Sequence, residues 1–226
     1  MDLQIEVKEV SKESRNSKVL DHITLQLKKG KTYGFVGYNG SGKTMLFKAI
    51  CGLTRITSGT IKVNGKFIGK DVDFIENTGV IIESPEFMNG LTGPENLKLL
   101  AEIQNKINEK EILHYFQMVG LGGHEKKKVS KYSLGMKQRL RIAQAIMEDP
   151  EILILDEPFN GLDKRGVEEI HKLLLEYKIS GKTILLTSHH EGDIELLCDE
   201  VFELDKGRIF NHKVLSNKKT KGVIKQ

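Results

Sequence analysis

The strongest chemical pattern in the sequence is a glycine-rich run that fits G-x-x-x-x-G-K-[ST]. The run reads Gly37, Tyr38, Asn39, Gly40, Ser41, Gly42, Lys43 and Thr44. Its glycines allow consecutive backbone N–H groups to point inward and to form a concave anion site. We expect Lys43 to place its charge on the β and γ phosphates of a nucleotide, and the Thr44 hydroxyl to bind Mg²⁺. The pattern therefore predicts a nucleoside triphosphate site.

Two carboxylates follow an apolar run in the second half of the chain. Asp156 and Glu157 come directly after Ile152–Leu155. Ligands of open α/β sheets bind at the carboxyl ends of the strands, so we expect Asp156 to hold Mg²⁺, through water, at that edge. Glu157 is placed to orient or deprotonate an attacking water. Taken alone, this run is also compatible with a core strand that ends in a polar turn.

A histidine follows the next apolar run, Thr183–Thr187. We expect His189 to hydrogen-bond the γ-phosphate and to keep the attacking water in line with Glu157. His190 is the competing candidate, and a lone histidine is more often structural than catalytic. Its place after a second buried strand favours a functional role.

These side chains need elements that bring them to one edge of a sheet. Residues 1–82 are rich in strand patterns, and residues from about 84 to 148 carry apolar side chains three and four apart, as helices do. From about residue 149 to residue 226, strands alternate with helices again. The pattern predicts an α/β fold in a single domain, residues 1–226, with a mostly parallel core sheet and a helical insertion.

The composition favours an ordinary globular protein. The chain has 226 residues, of which 38% are hydrophobic and 29% are charged. We see no apolar run of about 18 residues that could span a bilayer and no secretory signal pattern. A net charge of +4 is too small to indicate a nucleic-acid partner. Cys51 and Cys198 lie in apolar surroundings, which predicts reduced core residues in the cytoplasm.

A further segment, Tyr132–Arg139, leads into a basic amphipathic helix shortly before the carboxylate motif. Ser133 is a suitable N-cap, and Gly135 would allow an anion to approach the backbone. With the motifs on either side of it, the chain resembles the ATP-binding cassette (ABC) family over nearly its whole length. The segment is similar to the signature of that family, usually LSGGQ, although Leu134 stands where a glycine is usual and Met136 replaces the glutamine.

The resemblance implies a P-loop NTPase fold with an N-terminal antiparallel β subdomain and an inserted helical subdomain. It also implies an ATPase that uses Mg²⁺ and binds ATP between two copies of the chain, with the glycine-rich loop of one copy facing the segment Ser133–Met136 of the other. Phe159–Asp163 resembles the loop that crosses such an interface, with Asp163 as its acidic end. Integral membrane permease subunits would be the further partners, which would place the chain at the inner face of the membrane.

Two positions depart from the family pattern. Glu83 stands where a glutamine usually touches Mg²⁺ or the water, and as a hard oxygen ligand it remains a candidate for the metal. The stretch Ser11–Arg15 lacks the aromatic residue that usually stacks on adenine, so Arg15 is the candidate for a cation–π contact. The variants around Glu83 and within Tyr132–Arg139 look like the branch that exports bacitracin, lantibiotics and similar peptides.

Two alternatives to a transport ATPase stay open at this point. The first is a P-loop phosphotransferase, against which Glu157 and the segment Ser133–Arg139 argue. The second is a regulatory clamp that binds ATP with little turnover, for which Glu83 and the missing aromatic residue argue. The sequence of this chain does not include the membrane subunit that would select a transported substrate.

Overall fold

The computed structural model describes residues 2–14, 17–83 and 87–215. The strands are β1 (Leu3–Ser14), β2 (Ser17–Lys28), β3 (Thr32–Val36), β4 (Ser58–Val63), β5 (Lys66–Phe67), β6 (Thr78–Ile81), β7 (Ile152–Leu155), β8 (Thr183–Thr187), β9 (Glu200–Asp205) and β10 (Arg208–Val214). The helices are α1 (Lys43–Cys51), α2 (Gly93–Gln104), α3 (Glu109–Phe116), α4 (Leu134–Ile146), α5 (Lys164–Ile179) and α6 (Glu191–Leu197). None of these helices is both long enough and apolar enough to cross a bilayer.

The larger sheet has the order β10-β9-β3-β8-β7-β6 within the described residues. All its neighbours pair in parallel except β9 and β10. Strands β7 and β8 are buried along their whole length, because helices cover both faces of a parallel sheet and favour continuous apolar runs. The predicted mostly parallel core sheet is confirmed.

The smaller sheet has the order β2-β1-β4-β5, and its neighbouring strands pair antiparallel. In β2 the buried side chains Ile23, Leu25 and Leu27 alternate with exposed ones, as a sheet with one covered face requires. The N-terminal antiparallel sheet expected from the family resemblance is thus present. Its β1–β2 hairpin contains Arg15, which lies outside the described residues.

Helices α2, α3 and α4 lie in the chain between β6 and β7. Thr92 and Glu95 form a reciprocal capping box at the start of α2, which satisfies two backbone N–H groups there. The Ser133 hydroxyl accepts a hydrogen bond from the Met136 N–H at 3.2 Å, so Ser133 is the cap of α4, as predicted. Leu97 and Phe116 are fully buried between these helices. The exact division into lobes at residues 82 and 149 stays a prediction.

Three of the named elements were not predicted from the sequence: β5, which has only two residues, β6 and α6. Strand β6 is short and contains Gly79, where an added Cβ would lie 1.8 Å from the carbonyl oxygen of Ala145 in α4. A glycine is therefore required for this strand to pack directly on the helix, but it weakens the strand pattern in the sequence. Helix α6 contains Gly192 and begins with acidic residues, so its apolar periodicity extends over less than two turns.

Candidate active site

The glycine-rich loop connects β3 to α1. Gly37 has a φ of +149° and Gly42 a φ of +108°, values that side chains rarely permit. Lys43 begins α1, and its ammonium donates hydrogen bonds to the carbonyl oxygens of Gly37 at 2.7 Å and Tyr38 at 3.1 Å. Burial lowers the pKa of Lys43, whereas the nearby Glu157 and Asp156 carboxylates raise it. The loop thus holds the Lys43 ammonium beside the N-terminus of α1. Both the ammonium and the helix N-terminus attract an anion, so this is a favourable place for a phosphate group.

Asp156 stands directly after β7 and faces the loop. Its Oδ2 accepts a hydrogen bond from the Thr44 hydroxyl at 2.6 Å, and its Oδ1 accepts one from the Thr187 hydroxyl at 2.7 Å. The Thr187 oxygen in turn accepts the Glu157 N–H at 2.8 Å. The ends of β7 and β8 are therefore joined to the start of α1 through side-chain oxygens of the kind that a hard cation prefers.

Glu157 has a left-handed backbone with a φ of +51°, which is uncommon for a residue with a side chain. His189 Nε2 lies 3.2 Å from its Oε1. The two atoms are not aligned for a hydrogen bond, so this buried carboxylate oxygen has no hydrogen-bond partner among the described residues. Burial raises the pKa of the Glu157 carboxyl, and Asp156 adds to that effect, while His189 and Lys43 oppose it. The carboxylate is poised as a proton acceptor.

A cavity of about 290 Å³ lies between these groups. The predicted site residues that line it are Asn39, Gly40, Gly42, Lys43, Thr44, Glu83, Asp156, Glu157 and His189. Gly37 and Tyr38 instead line a neighbouring cavity, together with Asn39 and His189. Ser41 is buried in the loop, and its hydroxyl has no hydrogen-bond partner among the described residues. The two parts of the site predicted from separate segments thus meet at one cavity.

Glu83 lines the cavity, but its carboxylate is paired with a lysine. Its Oε1 lies 2.5 Å from the ammonium of Lys48, which stands on α1. In the described part of the chain, no three His, Cys, Asp or Glu side chains converge as a metal site. Glu83 therefore does not form a carboxylate cluster with Asp156 and Glu157, and its role as a metal ligand stays a prediction.

The segment Ser133–Met136 does not line the cavity of its own chain. It lies against the loop before α5 instead. A Cβ added to Gly135 would lie only 3.0 Å from the carbonyl oxygen of Gly161, which shows how closely the two backbones approach. The Leu134 side chain is 65% exposed and borders Gly161 on its other side. Asp163 caps α5 by accepting the Gly166 N–H at 2.8 Å. These two predicted groups lie together, apart from the phosphate loop of the same subunit.

Four cavity or site residues were not predicted from the sequence: Thr187, Lys48, Val19 and Met45. Thr187 was assigned no role, although a hydroxyl at the end of a strand next to the Asp156 strand was a usable signal. Lys48 carries no signal of its own, since its partner Glu83 is distant in sequence. Val19 lines the cavity from β2, and only the packing of the hairpin against the loop identifies it.

Comparison with known proteins identifies the family. The family model described as ABC transporter matches residues 20–160, more than half of the chain, including the glycine-rich loop and the Asp156 strand. The chain belongs to the ABC transporter family. This match confirms the resemblance to ATP-binding subunits that was found in the sequence. The phosphotransferase alternative thereby loses its support.

Relatives of this ABC cassette include transport proteins for peptides. It is 45% identical to the uncharacterized ABC transporter ATP-binding protein YybJ of Bacillus subtilis (strain 168), over 91% of this chain and 94% of that one. It is 39% identical to the bacitracin transport ATP-binding protein BcrA of Bacillus licheniformis, over 95% and 72%. It is 34% identical to the lantibiotic transport ATP-binding protein SrtF of Streptococcus pyogenes, over 92% and 90%. Both transport classes suggested by the sequence variants occur among its relatives.

Solved structures confirm the fold of the cassette. An ATP-binding subunit of an ABC transporter superposes with a TM-score of 0.83 at 29% identity, over 94% of this chain and 90% of that one. The dimeric cassette MJ0796, in a post-hydrolysis state with ADP and Pi, superposes with a TM-score of 0.84 at 22% identity, over 94% and 99%. The second likeness is one of fold.

Proposed function

We propose that this ABC cassette hydrolyses ATP to drive transport through separate membrane subunits. The observation that carries the proposal is the hydrogen-bonded row formed by Thr44, Asp156, Thr187 and Glu157 at the mouth of the phosphate loop. It places a cation-binding oxygen pair and a candidate base next to Lys43. These are the groups needed to neutralise a terminal phosphate and to activate a water beside it.

Mg²⁺ fits the residues at this site. Thr44 and Asp156 present oxygens 2.6 Å apart, and Mg²⁺ in phosphoryl-transfer sites takes only one or two protein carboxylates along with substrate phosphates. When bound, the ion neutralises charge on the β and γ phosphates. Glu83 is retained as a third candidate ligand, which would have to exchange its contact with Lys48 for the metal.

The protein groups then divide the work. Lys43 binds the β and γ phosphates from within the loop, with the N–H groups from Gly37 to Thr44 around them. Glu157 accepts the proton of the attacking water, and its raised pKa makes it a stronger base than an exposed glutamate. His189, whose side chain is 51% exposed, hydrogen-bonds the γ-phosphate and holds it in line with that water.

A second copy of the chain completes the site. The segment Ser133–Met136 is a serine-capped helix start that lies outside the cavity of its own subunit, with Leu134 exposed. In a homodimer it would close over the γ-phosphate bound by the neighbour, next to the loop that ends at Asp163. Closure would exclude water and strengthen the electrostatic contacts to the phosphate. ATP binding would favour the dimer, and hydrolysis would release it.

The remaining partners follow from the family. Permease subunits would hold the cassette at the inner face of the membrane, and the segment from about residue 84 to 148 would act as the helical lobe between them and the site. Relatives named for bacitracin and lantibiotic transport support an antimicrobial peptide as the exported substrate. Val19 lines the cavity and offers an aliphatic contact for the base of the nucleotide.

The decisive experiment replaces the base. Glu157→Gln keeps the size of the side chain but removes the proton acceptor, so ATP should bind without being hydrolysed and the dimer should accumulate. Light scattering of this variant with ATP and Mg²⁺ should give twice the monomer mass, and the same sample with ADP should give the monomer. A Glu157→Gln chain that remains monomeric with ATP and Mg²⁺ would contradict the proposed dimer.

Turnover separates the motor from the clamp alternative. The wild-type chain should hydrolyse ATP at least about 10²-fold faster than Glu157→Gln, the usual scale of a general base. Glu169→Gln is a matched control, because Glu169 of α5 pairs with Arg139 of α4 and Arg165 of α5 and does not line the cavity. A wild type no faster than Glu157→Gln would favour an ATP-gated clamp with little turnover.

A further inference from the structure

A buried polar chain supports the loop that carries His189. His171 of α5 lies with its Nε2 2.9 Å from Oδ1 of Asp193 in α6. The other carboxylate oxygen of Asp193 accepts a hydrogen bond from the Ser188 hydroxyl at 2.6 Å. The Ser188 oxygen then accepts the His190 N–H at 3.0 Å. One continuous chain of hydrogen bonds therefore runs from α5 to the backbone on either side of His189.

The members of this chain are sheltered from water. The side chains of His171 and Asp193 are 14% and 8% exposed, and Ser188 is 7% exposed. An ionised carboxylate can only accept, so the Nε2 of His171 carries the proton that is shared with Asp193. Hydrogen bonds in such a poorly solvated place are strong when all partners are present and costly when one is removed. None of the three residues lines the 290 Å³ cavity.

His171 also touches the segment that follows the candidate base. Its ring packs edge-to-face on Phe159, with centroids 4.8 Å apart and an interplanar angle of 76°. Phe159 follows Glu157 and Pro158 directly in the chain. A single side chain on α5 thus contacts the loop that follows Glu157 directly and supports the loop that carries His189 through Asp193.

His189 consequently follows two anchored hydroxyls in the chain. Thr187 is fixed by Asp156 and by the Glu157 N–H. Ser188 is fixed by Asp193, which His171 holds in place, and it accepts the N–H of the residue after His189. We propose that His171 and Asp193 are positioning residues for ATP turnover, which keep His189 over Glu157 although neither touches the nucleotide. This inference rests on the roles proposed above for His189 and Glu157.

The test uses the full chain and varies one donor. His171→Leu removes the donor to Asp193, and His171→Gln retains an N–H at a similar position. His212 offers a matched control, since its Nε2 lies 2.8 Å from Oε2 of Glu200 at the start of β9, and neither residue lines the cavity. Steady-state ATPase is measured over a range of ATP concentrations for these variants, for His212→Leu, for His189→Ala and for the double variant His171→Leu/His189→Ala.

We expect His171→Leu to lower kcat by about 10- to 100-fold, the scale of a misplaced catalytic group, with KM changed by less than about twofold. His171→Gln should keep kcat within about threefold of the wild type, because an amide can donate to Asp193. His212→Leu should leave both constants unchanged. Adding His171→Leu to His189→Ala should cause no further loss, since the group being positioned is already gone.

The hydrogen exchange rate of the His190 amide provides a readout that does not depend on turnover. It should rise in His171→Leu and stay unchanged in His212→Leu, because the His190 N–H donates to Ser188. If circular dichroism shows that His171→Leu does not fold, Asp193→Asn takes its place, because it retains one acceptor of two and should lose part of kcat.

The outcomes distinguish this inference from the proposed function. An impaired His189→Ala together with a fully active His171→Leu overturns the positioning role alone. So does a further loss of kcat in the double variant, which would mean that His171 acts by another route. A wild-type rate for His189→Ala removes the proposed role of His189, and the positioning role falls with it.

Discussion

Thr187→Val tests the row of oxygens at the carboxyl edge of the sheet. Thr187 is fully buried, and its hydroxyl both donates to Asp156 at 2.7 Å and accepts the Glu157 N–H at 2.8 Å. Valine has a similar volume and the same strand preference, so the change removes the hydroxyl and leaves little empty space. Its effect should therefore report on these two hydrogen bonds.

The expected loss of stability follows from those contacts. A hydrogen bond to a charged group contributes about 1.5–3 kcal/mol, and a buried donor that loses its acceptor costs about 1–3 kcal/mol. Because the two losses share one hydroxyl and the loop can relax, we expect a fall of about 2–4 kcal/mol in the free energy of unfolding. For a domain of this size that corresponds to a fall in Tm of about 4–16 °C.

The measurement is thermal unfolding followed by circular dichroism, with and without ATP and Mg²⁺. Thr78→Val serves as the control, because Thr78 also lies on a strand of the same sheet but its hydroxyl donates to the Glu76 carbonyl in an exposed place. That change should alter the free energy of unfolding by less than about 0.5 kcal/mol. A Tm of Thr187→Val within about 2 °C of the wild type would refute the inferred importance of this row.

Three further predictions concern the cavity. Lys43→Ala should abolish ATP binding or turnover, and unchanged ATPase activity would refute the phosphate-loop assignment. Glu83→Gln should preserve activity if Glu83 is a metal ligand that an amide can replace; a loss beyond about 10²-fold in ATPase rate would instead indicate a chemical role. Turnover should decline in acid at a higher pH than an exposed glutamate would give, because burial raises the pKa of Glu157 and its protonated form cannot accept a proton. Because its pKa is raised, Glu157 binds a proton more readily in the folded state than in the unfolded chain. By linkage, the protonated group therefore adds to the free energy of unfolding; this contribution is complete below 4.5, the ordinary glutamate pKa, and is lost as the pH rises through the raised pKa. Stability measured against pH should therefore differ between the wild type and Glu157→Gln, whereas parallel curves would contradict the shift.

The sequence predicted the core of the fold because its parallel strands are continuously apolar. Strands β7 and β8 coincide with the predicted runs Ile152–Leu155 and Thr183–Thr187, since strands that are buried on both faces are continuously apolar. Strand β6 was missed because Gly79 is needed for contact with Ala145, and that requirement exists only in three dimensions. Helix α6 was missed because it is too short to show a periodic pattern.

The parts of the candidate site that could be predicted are those in which a short run of the sequence has residues of a characteristic type at a characteristic spacing. The glycine-rich loop and the Asp156–Glu157 pair are of this kind, and the structure brings both to one cavity. The contacts of Glu83 with Lys48 and of His171 with Asp193 depend on how distant segments pack, so no local pattern could indicate them. The same holds for the contact of Gly135 with Gly161.

That last contact has a mechanical consequence for each subunit. The backbone turn at Gly135 rests against Gly161, and the Gln138 side chain donates to the Pro158 carbonyl at 2.8 Å in a buried place. Packed interiors resist deformation, so a push on the start of α4 must displace the 158–163 segment as well. That segment leads back to Glu157, so pressure from a neighbouring molecule would reach the carboxylate proposed as the base in the subunit that receives it. Each protomer would thereby respond to nucleotide bound by its neighbour through the packing of its own α4 against the 158–163 segment.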